Sequence, residues 1–345
     1  KAAQMGVLVR NAEALQQASQ VDWVVLDKTG TITQGYMVVQ DCALFNGADK
    51  VKSLAIANHI EHASEHPIAR AIVAHCQQQL PAESLNSTAT LSAEHFTAVP
   101  GMGAVSGDII TGNIALMQAH KIDLSAAKGW LIVQEKAARS IVLLAHKGEL
   151  ILAFGLEDIL KKDSVKAVRR LKSLGVKVMM LTGDNQATAQ RVASLVGVDD
   201  YAAELMPEDK LNKIKQLQHQ GQVVAMVGDG LNDAPALSQA NVGIAMGQGA
   251  DVAIESADLC LLNSSLHGVA DAIELSYSTM RNIKQNLWGA FTYNALGIPI
   301  AAGALFPLTG MLLSPMLAAL AMSLSSVTVV TNANRLRWFK TSARD

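Results

Sequence analysis

The stretch VDWVVLDKTGT, residues 21–31, decides the fold, because a run of strand-forming apolar residues ends abruptly in a polar loop. The same pattern returns in VKVMMLTGD at 176–184 and in QVVAMVGDG at 222–230. Helical patterns separate these runs, and such alternation is typical of a doubly wound parallel α/β sheet. Ligands bind such sheets beyond the carboxyl ends of the strands, so the polar side chains there are expected to meet in one crevice. They are Asp27, Thr182, Asp184 and Asp229.

The residue types at these strand ends suit phosphoryl transfer. A carboxylate is a known nucleophile toward phosphorus, and a reference pKa of about 3.9 predicts that Asp27 is ionised at pH 7. Lys210, in the sequence MPEDK, can neutralise phosphoryl oxygens, and Thr182 can donate a hydrogen bond to them. Asp229, in GDGLNDAPAL, can hold Mg²⁺ together with Asp27, because Mg²⁺ prefers a few carboxylates with phosphate and water.

This arrangement resembles the haloacid-dehalogenase-like hydrolases. Phosphatases of that superfamily carry a second Asp two residues after the nucleophile, which protonates the leaving group. Thr29 stands at that position and cannot act as the acid. The motifs DKTGT, TGD, MPEDK and GDGLNDAPAL, in this order, resemble the P-type ATPases, so the resemblance implies autophosphorylation by ATP. The catalytic residues that it implies are Asp27, Lys28, Thr29, Thr182, Gly183, Asp184, Lys210, Asn232 and Asp233, with Asp27, Thr29 and Asp229 at Mg²⁺.

An inserted block interrupts the alternation from residue 36 to residue 149. It contains SEHP, GMG and GN, which resemble the nucleotide-binding domain of the heavy-metal P-type ATPases. The implied ATP-binding residues are Glu61, His66, Gly101, Gly103, Gly112 and Asn113. Two other interpretations are weaker: GMGAVSG lacks the strand–turn–helix setting of a dinucleotide site, and His59, His62 and His66 have zinc-like spacing.

The last part of the chain has a different composition. Residues 285–334 contain no Asp, Glu, Lys, Arg or His, which is long enough for two membrane spans of about 20 residues each. PLTG, at 307–310, divides the stretch into spans at 286–306 and 311–331. Basic residues flank both outer ends, so the positive-inside rule predicts a transmembrane helical hairpin with both ends in the cytoplasm. A buried soluble helical pair is the alternative.

Polar and sulfur side chains in these spans indicate the cargo. Tyr293 and Asn294 lie in the first span, and Met322 and Ser326 share one face of the second. A thioether suits Cu(I), which is a soft ion. The combination YN with MxxxS resembles the copper branch of the heavy-metal pumps and implies that these four residues bind Cu(I). Zinc-type relatives are expected to place a charged residue here, and the spans have none.

The composition sets the remaining expectations. A formal net charge of −2 gives no electrostatic footprint for nucleic acid, and three scattered cysteines indicate buried reduced thiols. The chain begins with Lys1 and lacks a Cys-Pro-Cys motif and a TGE motif. We therefore expect an N-terminal portion of the same pump to be missing, including the actuator domain and the Cys-Pro-Cys helix.

The resemblance also implies partners and a location. It implies Cu(I) export, delivery by a copper chaperone, and an integral protein of the bacterial inner membrane with cytoplasmic catalytic domains. The predicted segments are a stalk helix at 1–20, a phosphorylation domain at 21–35 and 150–268, an α+β nucleotide-binding domain at 36–149, a stalk at 269–285, the two spans, and a cytoplasmic tail at 332–345.

Three other functions stay open on the sequence alone. The same ATPase can carry Ag(I), which shares soft ligands, or Zn(II). A membrane-anchored phosphatase is disfavoured by Thr29 and by the nucleotide block. A regulatory nucleotide-binding module without catalysis is disfavoured by the complete set of Asp27, Lys210 and Asp229.

Overall fold

A computed structural model describes residues 1–81, 96–247, 251–304, 307 and 314–341. The chain forms two compact units. The first comprises Lys1–Ile32, Lys162–Asp184 and Ala193–Asp345, and the second comprises Thr33–Lys161 and Asn185–Val192.

Strands and helices are numbered here in chain order. The strands are β1 Val7–Val9, β2 Trp23–Asp27, β3 Thr33–Leu44, β4 Thr97–Val99, β5 Gly103–Ser106, β6 Ile109–Gly112, β7 Ser140–His146, β8 Glu149–Leu160, β9 Lys177–Leu181, β10 Asp200–Ala202, β11 Val224–Gly228, β12 Val242–Met246 and β13 Leu259–Leu261. The helices are α1 Ala12–Ala18, α2 Lys50–His62, α3 Pro67–Gln79, α4 Ile114–Ala119, α5 Lys128–Lys136, α6 Ser164–Ser173, α7 Gln186–Val196, α8 Pro207–His219, α9 Ala234–Gln239, α10 Asp251–Ser256, α11 His267–Ala301 and α12 Pro315–Asn334.

The first unit is built on a seven-stranded sheet in the order β1-β13-β12-β11-β2-β9-β10. All neighbouring strands in it run parallel except β1, which pairs antiparallel with β13. Apolar side chains of β2, β9 and β11 pack against Ile214 of α8 and Leu237 of α9. The predicted parallel α/β sheet is confirmed. The helix predicted over residues 1–20 is wrong in part, because Val7–Val9 joins the edge of this sheet and only Ala12–Ala18 is α-helical.

The second unit is built on a six-stranded antiparallel sheet in the order β3-β8-β7-β6-β5-β4. The pairing of β8 with β7 shifts register between Leu150 and Leu152, so these two residues lie on opposite faces although they are two apart. Leu152 and Phe154 pack with α2 and α3, whereas Leu150 and Ala153 pack with α4 and α5. The phosphorylation domain was predicted to resume at residue 150, which would place β8 in the parallel sheet. β8 pairs along its length with β3, so the inserted unit extends to Lys161 and not to residue 149. Apolar character alone does not tell which of two sheets a buried strand joins.

Two helices end the first unit. The predicted stalk at 269–285 and the predicted first span, as far as Ala301, lie in one continuous helix, α11. This helix has Pro299 in its last turn. α12 packs against α11 and covers most of the predicted second span. Residues 305–306 and 308–313, at the predicted break, lie outside the described residues. Within the part of the chain that the structure describes, no helix combines the length and the apolarity needed to cross a membrane.

Candidate active site

Asp27 is the last residue of β2, an interior strand of the sheet, and is only 5% exposed. The chain turns directly after it, and Gly30 has a left-handed backbone with φ of 72°. A Cβ atom on Gly30 would lie 1.6 Å from Oδ2 of Asp229. The turn therefore requires glycine for two reasons, its backbone conformation and the approach of the Asp229 carboxylate.

Lys210 forms ion pairs with two buried carboxylates at the site. It lies in the first turn of α8, where Pro207 begins the helix and the carboxylate of Asp209 accepts a hydrogen bond from the backbone N–H of Met206. Its Nζ lies 2.5 Å from Oδ1 of Asp27 and 2.8 Å from Oδ1 of Asp233. Lys210 is 7% exposed, so its ammonium group can face the oxygens of a phosphoryl group with little competition from water.

The electrostatics of Asp27 differ from the prediction. Burial and the neighbouring carboxylates of Asp233 and Asp229 raise the pKa of Asp27, Lys210 lowers it, and the net pKa is about 7. Burial lowers the pKa of Lys210, but Asp27 and Asp233 reverse that effect and raise the pKa. The expectation of a fully ionised nucleophile at pH 7 is therefore wrong for the protein without a bound cation. One lysine does not balance three neighbouring carboxylates.

The same three carboxylates fit Mg²⁺. Oxygen atoms of Asp27, Asp229 and Asp233 all lie within 4.8 Å of one another. A cluster of hard oxygen ligands with excess negative charge is the donor set that Mg²⁺ prefers. The structure thus brings the predicted ligands Asp27 and Asp229 together and adds Asp233. The predicted third ligand, Thr29, is exposed in the turn after Asp27.

The other predicted catalytic residues differ in their burial and in their contacts. Lys28 forms an ion pair with Asp184, and no local pattern predicts this pair because 156 residues separate the two. Thr182 is buried, and its Oγ1 accepts a hydrogen bond of 3.1 Å from the backbone N–H of Asp184. Gly183 and Asn232 are exposed. Thr182 and Gly183 directly follow β9, so two neighbouring strands contribute to the site.

The second unit contains a separate cavity of about 460 Å³. All six residues predicted to bind ATP line it: Glu61, His66, Gly101, Gly103, Gly112 and Asn113. Apolar side chains, including Phe96 and Ile141, form part of its wall. An apolar cavity with a few polar groups is suited to a flat heteroaromatic ligand.

The polar groups of this cavity are held in place by local contacts. Oγ1 of Thr111 donates a 2.5 Å hydrogen bond to Oε1 of Glu61, and burial raises the pKa of Glu61 while that bond lowers it. His66 caps α3, because its Nδ1 accepts a hydrogen bond of 3.2 Å from the backbone N–H of Ile68. Its Nε2 is left to carry the proton and to donate. Nδ2 of Asn113 donates to the carbonyl of Gly101 at 3.0 Å.

The two strand glycines of the cavity are cross-strand partners in β5 and β6. A Cβ on Gly103 would lie 2.1 Å from the carbonyl oxygen of Thr111, and one on Gly112 would lie 2.2 Å from that of Met102. Larger residues would push the hairpin apart. Sequence reasoning gave these glycines a role toward the ligand, whereas the structure first explains them by the close approach of two backbones.

The zinc alternative does not gain support from the geometry. His59 and His62 lie in the last turn of α2, and His66 caps the next helix. Among the described residues, the one group of three metal-ligating side chains close enough to share an ion is the acidic cluster Asp27, Asp229 and Asp233.

The four residues predicted to bind Cu(I) lie on the two C-terminal helices. Tyr293 and Asn294 are exposed on α11, and Met322 and Ser326 are exposed on α12. Oγ of Ser326 donates a 3.3 Å hydrogen bond to the carbonyl of Met322 one turn earlier.

The fold and the acidic cluster define a class of protein. The profile of the haloacid dehalogenase-like hydrolases matches residues 21–241, and the chain belongs to that family. Within it, the chain is 48% identical over 346 residues to a copper-exporting P-type ATPase of Vibrio cholerae, covering 99% of this chain and 37% of that protein. It is 44% identical to a copper-exporting P-type ATPase of Legionella pneumophila, covering 98% and 45% of the two chains. The resemblance predicted from the four motifs is confirmed.

Two further relatives are named as transporters of other metals. A silver-exporting P-type ATPase of Salmonella typhimurium is 42% identical, with 98% of this chain and 40% of that protein covered. A solved structure of a zinc-transporting PIB-type ATPase matches with a TM-score of 0.81 and 35% identity, over 97% of this chain and 53% of that one. The chain thus spans less than half the length of these three curated relatives.

Proposed function

We propose that this chain is the catalytic part, and half of the membrane metal site, of a pump that exports Cu(I) by hydrolysing ATP through an aspartyl phosphate. The observation that carries the proposal is the buried Asp27–Lys210–Asp233 cluster at the end of strand β2. It is supported by similarity over 99% of the chain to a copper-exporting ATPase.

In the proposed reaction, a carboxylate oxygen of Asp27 attacks the γ-phosphorus of ATP. The bond from that phosphorus to the β–γ bridging oxygen breaks, and ADP leaves with the electron pair. Lys210 neutralises charge on the transferred group, and Thr182 orients it. Mg²⁺, when held by Asp27, Asp229 and Asp233, supplies additional charge neutralisation on the phosphoryl oxygens. Water later hydrolyses the acyl phosphate and releases inorganic phosphate.

Nucleotide recognition is proposed for the cavity of the second unit. Glu61 and His66 offer polar atoms to the purine, while the apolar wall covers its faces. Asn113 and the neighbouring glycines complete the lining. The carboxyl of Glu61 accepts a hydrogen bond from Thr111, and this bond fixes the orientation of the carboxyl in the cavity.

The cargo is proposed to be Cu(I), bound by Tyr293, Asn294, Met322 and Ser326 together with ligands from the preceding part of the pump. Support comes from the soft thioether of Met322 and from the absence of charged side chains in residues 285–334. We further propose that this stretch lies in the bacterial inner membrane, that the catalytic units lie in the cytoplasm, and that a copper chaperone delivers the ion. Ag(I) is the second candidate, since a silver-exporting relative is 42% identical.

The test is phosphorylation of the full-length pump with γ-labelled ATP and Mg²⁺, followed by acid quench and hydroxylamine. We expect an acid-stable label that hydroxylamine removes, that Cu(I) stimulates, and that Asp27→Asn abolishes without loss of nucleotide binding. Label that persists in Asp27→Asn would refute the assignment of the nucleophile. Stimulation by Zn(II) but not by Cu(I) would refute the cargo. Rapid hydrolysis of small phosphomonoesters without preference for ATP would indicate a phosphatase instead.

A further inference from the structure

Three asparagine side chains close a ring where α11 and α12 meet. Nδ2 of Asn282 donates a 2.7 Å hydrogen bond to the backbone carbonyl of Asn332. Nδ2 of Asn332 donates to Oδ1 of Asn286 at 2.8 Å, and Nδ2 of Asn286 donates to Oδ1 of Asn282 at 3.2 Å. We call these three residues the asparagine ring. Each one both donates and accepts, so no member can turn without breaking a bond.

Further contacts fix the member on α12. Arg335 donates to Oδ1 of Asn332 at 3.0 Å, and Nδ2 of Asn332 also lies 3.5 Å from Oε1 of Gln285. Asn282 is 7% exposed, so at least part of the ring is shielded from water. Hydrogen bonds between helices are among the forces that hold helix pairs together where apolar packing gives little direction.

The ring sets the axial register of the two helices. α11 leaves it toward Ala301, and α12 reaches it from Pro315, so the packed helices run antiparallel. At a rise of about 1.5 Å per residue, Tyr293 and Asn294 lie about 10–12 Å beyond Asn286 along α11. Met322 and Ser326 lie about 9–15 Å from Asn332 along α12. The four proposed copper ligands therefore fall in one layer, measured from the same ring.

The register also brings a ligand onto the facing surface. Tyr293 follows Asn286 by seven residues, which is about 20° short of two full turns, so both lie on one side of α11. A slip of α12 by one turn would move its ligands by about 5.4 Å, which exceeds the length of any metal–ligand bond.

We propose that the asparagine ring is the positioning element of the membrane metal site. It binds no metal itself, and by fixing the register it holds Tyr293 and Asn294 level with Met322 and Ser326. This inference rests on the proposed copper function. Residues that orient metal ligands without touching the ion commonly change metal affinity by about 10- to 100-fold when replaced.

The experiment uses the full-length pump and three variants, each of which replaces one asparagine. Asn286→Leu removes two of the ring bonds and keeps the branched shape of the side chain, and Asn286→Gln retains both a donor and an acceptor. Asn334→Leu is the matched control, since Asn334 is exposed near the same helix end and has no side-chain hydrogen bond among the described residues. Phosphoenzyme from γ-labelled ATP is measured across a buffered series of Cu(I) concentrations.

We expect Asn286→Leu to raise the half-saturating Cu(I) concentration at least tenfold, with the phosphoenzyme level at saturating Cu(I) unchanged. Asn286→Gln is expected to recover most of the affinity, and Asn334→Leu to match the parent protein. An unchanged half-saturating concentration in Asn286→Leu overturns the proposal. Loss of phosphoenzyme at every Cu(I) concentration overturns it as well, because the role would then be structural. A parent protein without Cu(I)-stimulated phosphoenzyme would instead refute the proposed function.

Discussion

Substitution of Gly30 by alanine tests whether the phosphorylation site depends on the position of Asp229. The backbone at Gly30 is left-handed, which costs a residue with a Cβ about 1–2 kcal/mol. The new Cβ would also lie 1.6 Å from Oδ2 of Asp229, and real Cβ contacts are essentially never shorter than 3.0 Å. The carboxylate or the turn must therefore shift by about 1.4 Å, the difference between these two distances.

A shift of this size has a calculable consequence for the reaction. Displacement of a reacting or metal-holding group by about 1 Å commonly costs about 100-fold in rate. Asp229 and Asp27 belong to one acidic cluster, so both metal affinity and phosphorylation rate are expected to fall. We expect Gly30→Ala to form phosphoenzyme at about 1% of the parent rate and to need more Mg²⁺ for half-maximal phosphorylation.

The matched control separates backbone strain from displacement of the carboxylate. Gly47 has nearly the same backbone angle, φ of 68°, and nothing lies within 4 Å of the Cβ position. Gly47→Ala should therefore lose similar stability and keep the parent rate and Mg²⁺ dependence. The assay is acid-quenched labelling by γ-labelled ATP across a Mg²⁺ series, with thermal unfolding of both variants. Parent-like phosphorylation in Gly30→Ala would refute the argument that Asp229 must occupy this position.

Lys210→Met removes a cation bonded to the nucleophile, so phosphorylation should slow by about 100- to 1,000-fold while nucleotide binding is retained; an unchanged labelling rate would contradict this. Glu61→Gln should flatten the pH dependence of the unfolding free energy. The pKa of Glu61 is raised in the folded protein, so the unfolding free energy falls as pH rises above the ordinary pKa of 4.5. Equal slopes of stability against pH for both proteins in thermal unfolding would contradict this. Arg170→Met leaves the buried carboxylate of Asp271 without its 2.7 Å partner and should cost about 3–5 kcal/mol of unfolding free energy, whereas Lys172→Met on the same helix breaks an exposed pair and should cost at most about 1 kcal/mol; similar losses in denaturant unfolding would refute the distinction.

Strand ends could be predicted from the sequence because their signal is local. A run such as WVVLD followed by KTGT marks both a buried strand and the point where it stops, and parallel strands gather such points at one edge. That reasoning predicts that Asp27 and Asp229 lie together, and the two belong to one acidic cluster. The residues that line the cavity of the second unit were predicted from a family resemblance and not from strand ends.

The failures came from interactions between residues far apart in the chain. The reference pKa of Asp27 gave an ionised carboxylate, but burial and Asp233 raise the pKa to about 7. No local pattern reveals that Lys28 pairs with Asp184. Strand β8 was placed in the wrong sheet because an apolar run does not specify its partner, and the antiparallel pairing with β3 decided it.

Thr29 links the family of the chain to its proposed use of the phosphoryl group. The chain shares its fold with hydrolases, yet the residue two positions after the nucleophile is a threonine, exposed in the turn. A hydroxyl neither protonates a leaving group nor activates water near pH 7, so the acyl phosphate has no acid or base in that position. In the proposed reaction, Lys210, which contacts Asp27 and Asp233, stabilises charge on the phosphoryl group and supplies no base for its hydrolysis. In the proposed pump, the same site therefore forms a covalent intermediate and retains it long enough for the C-terminal helices to respond.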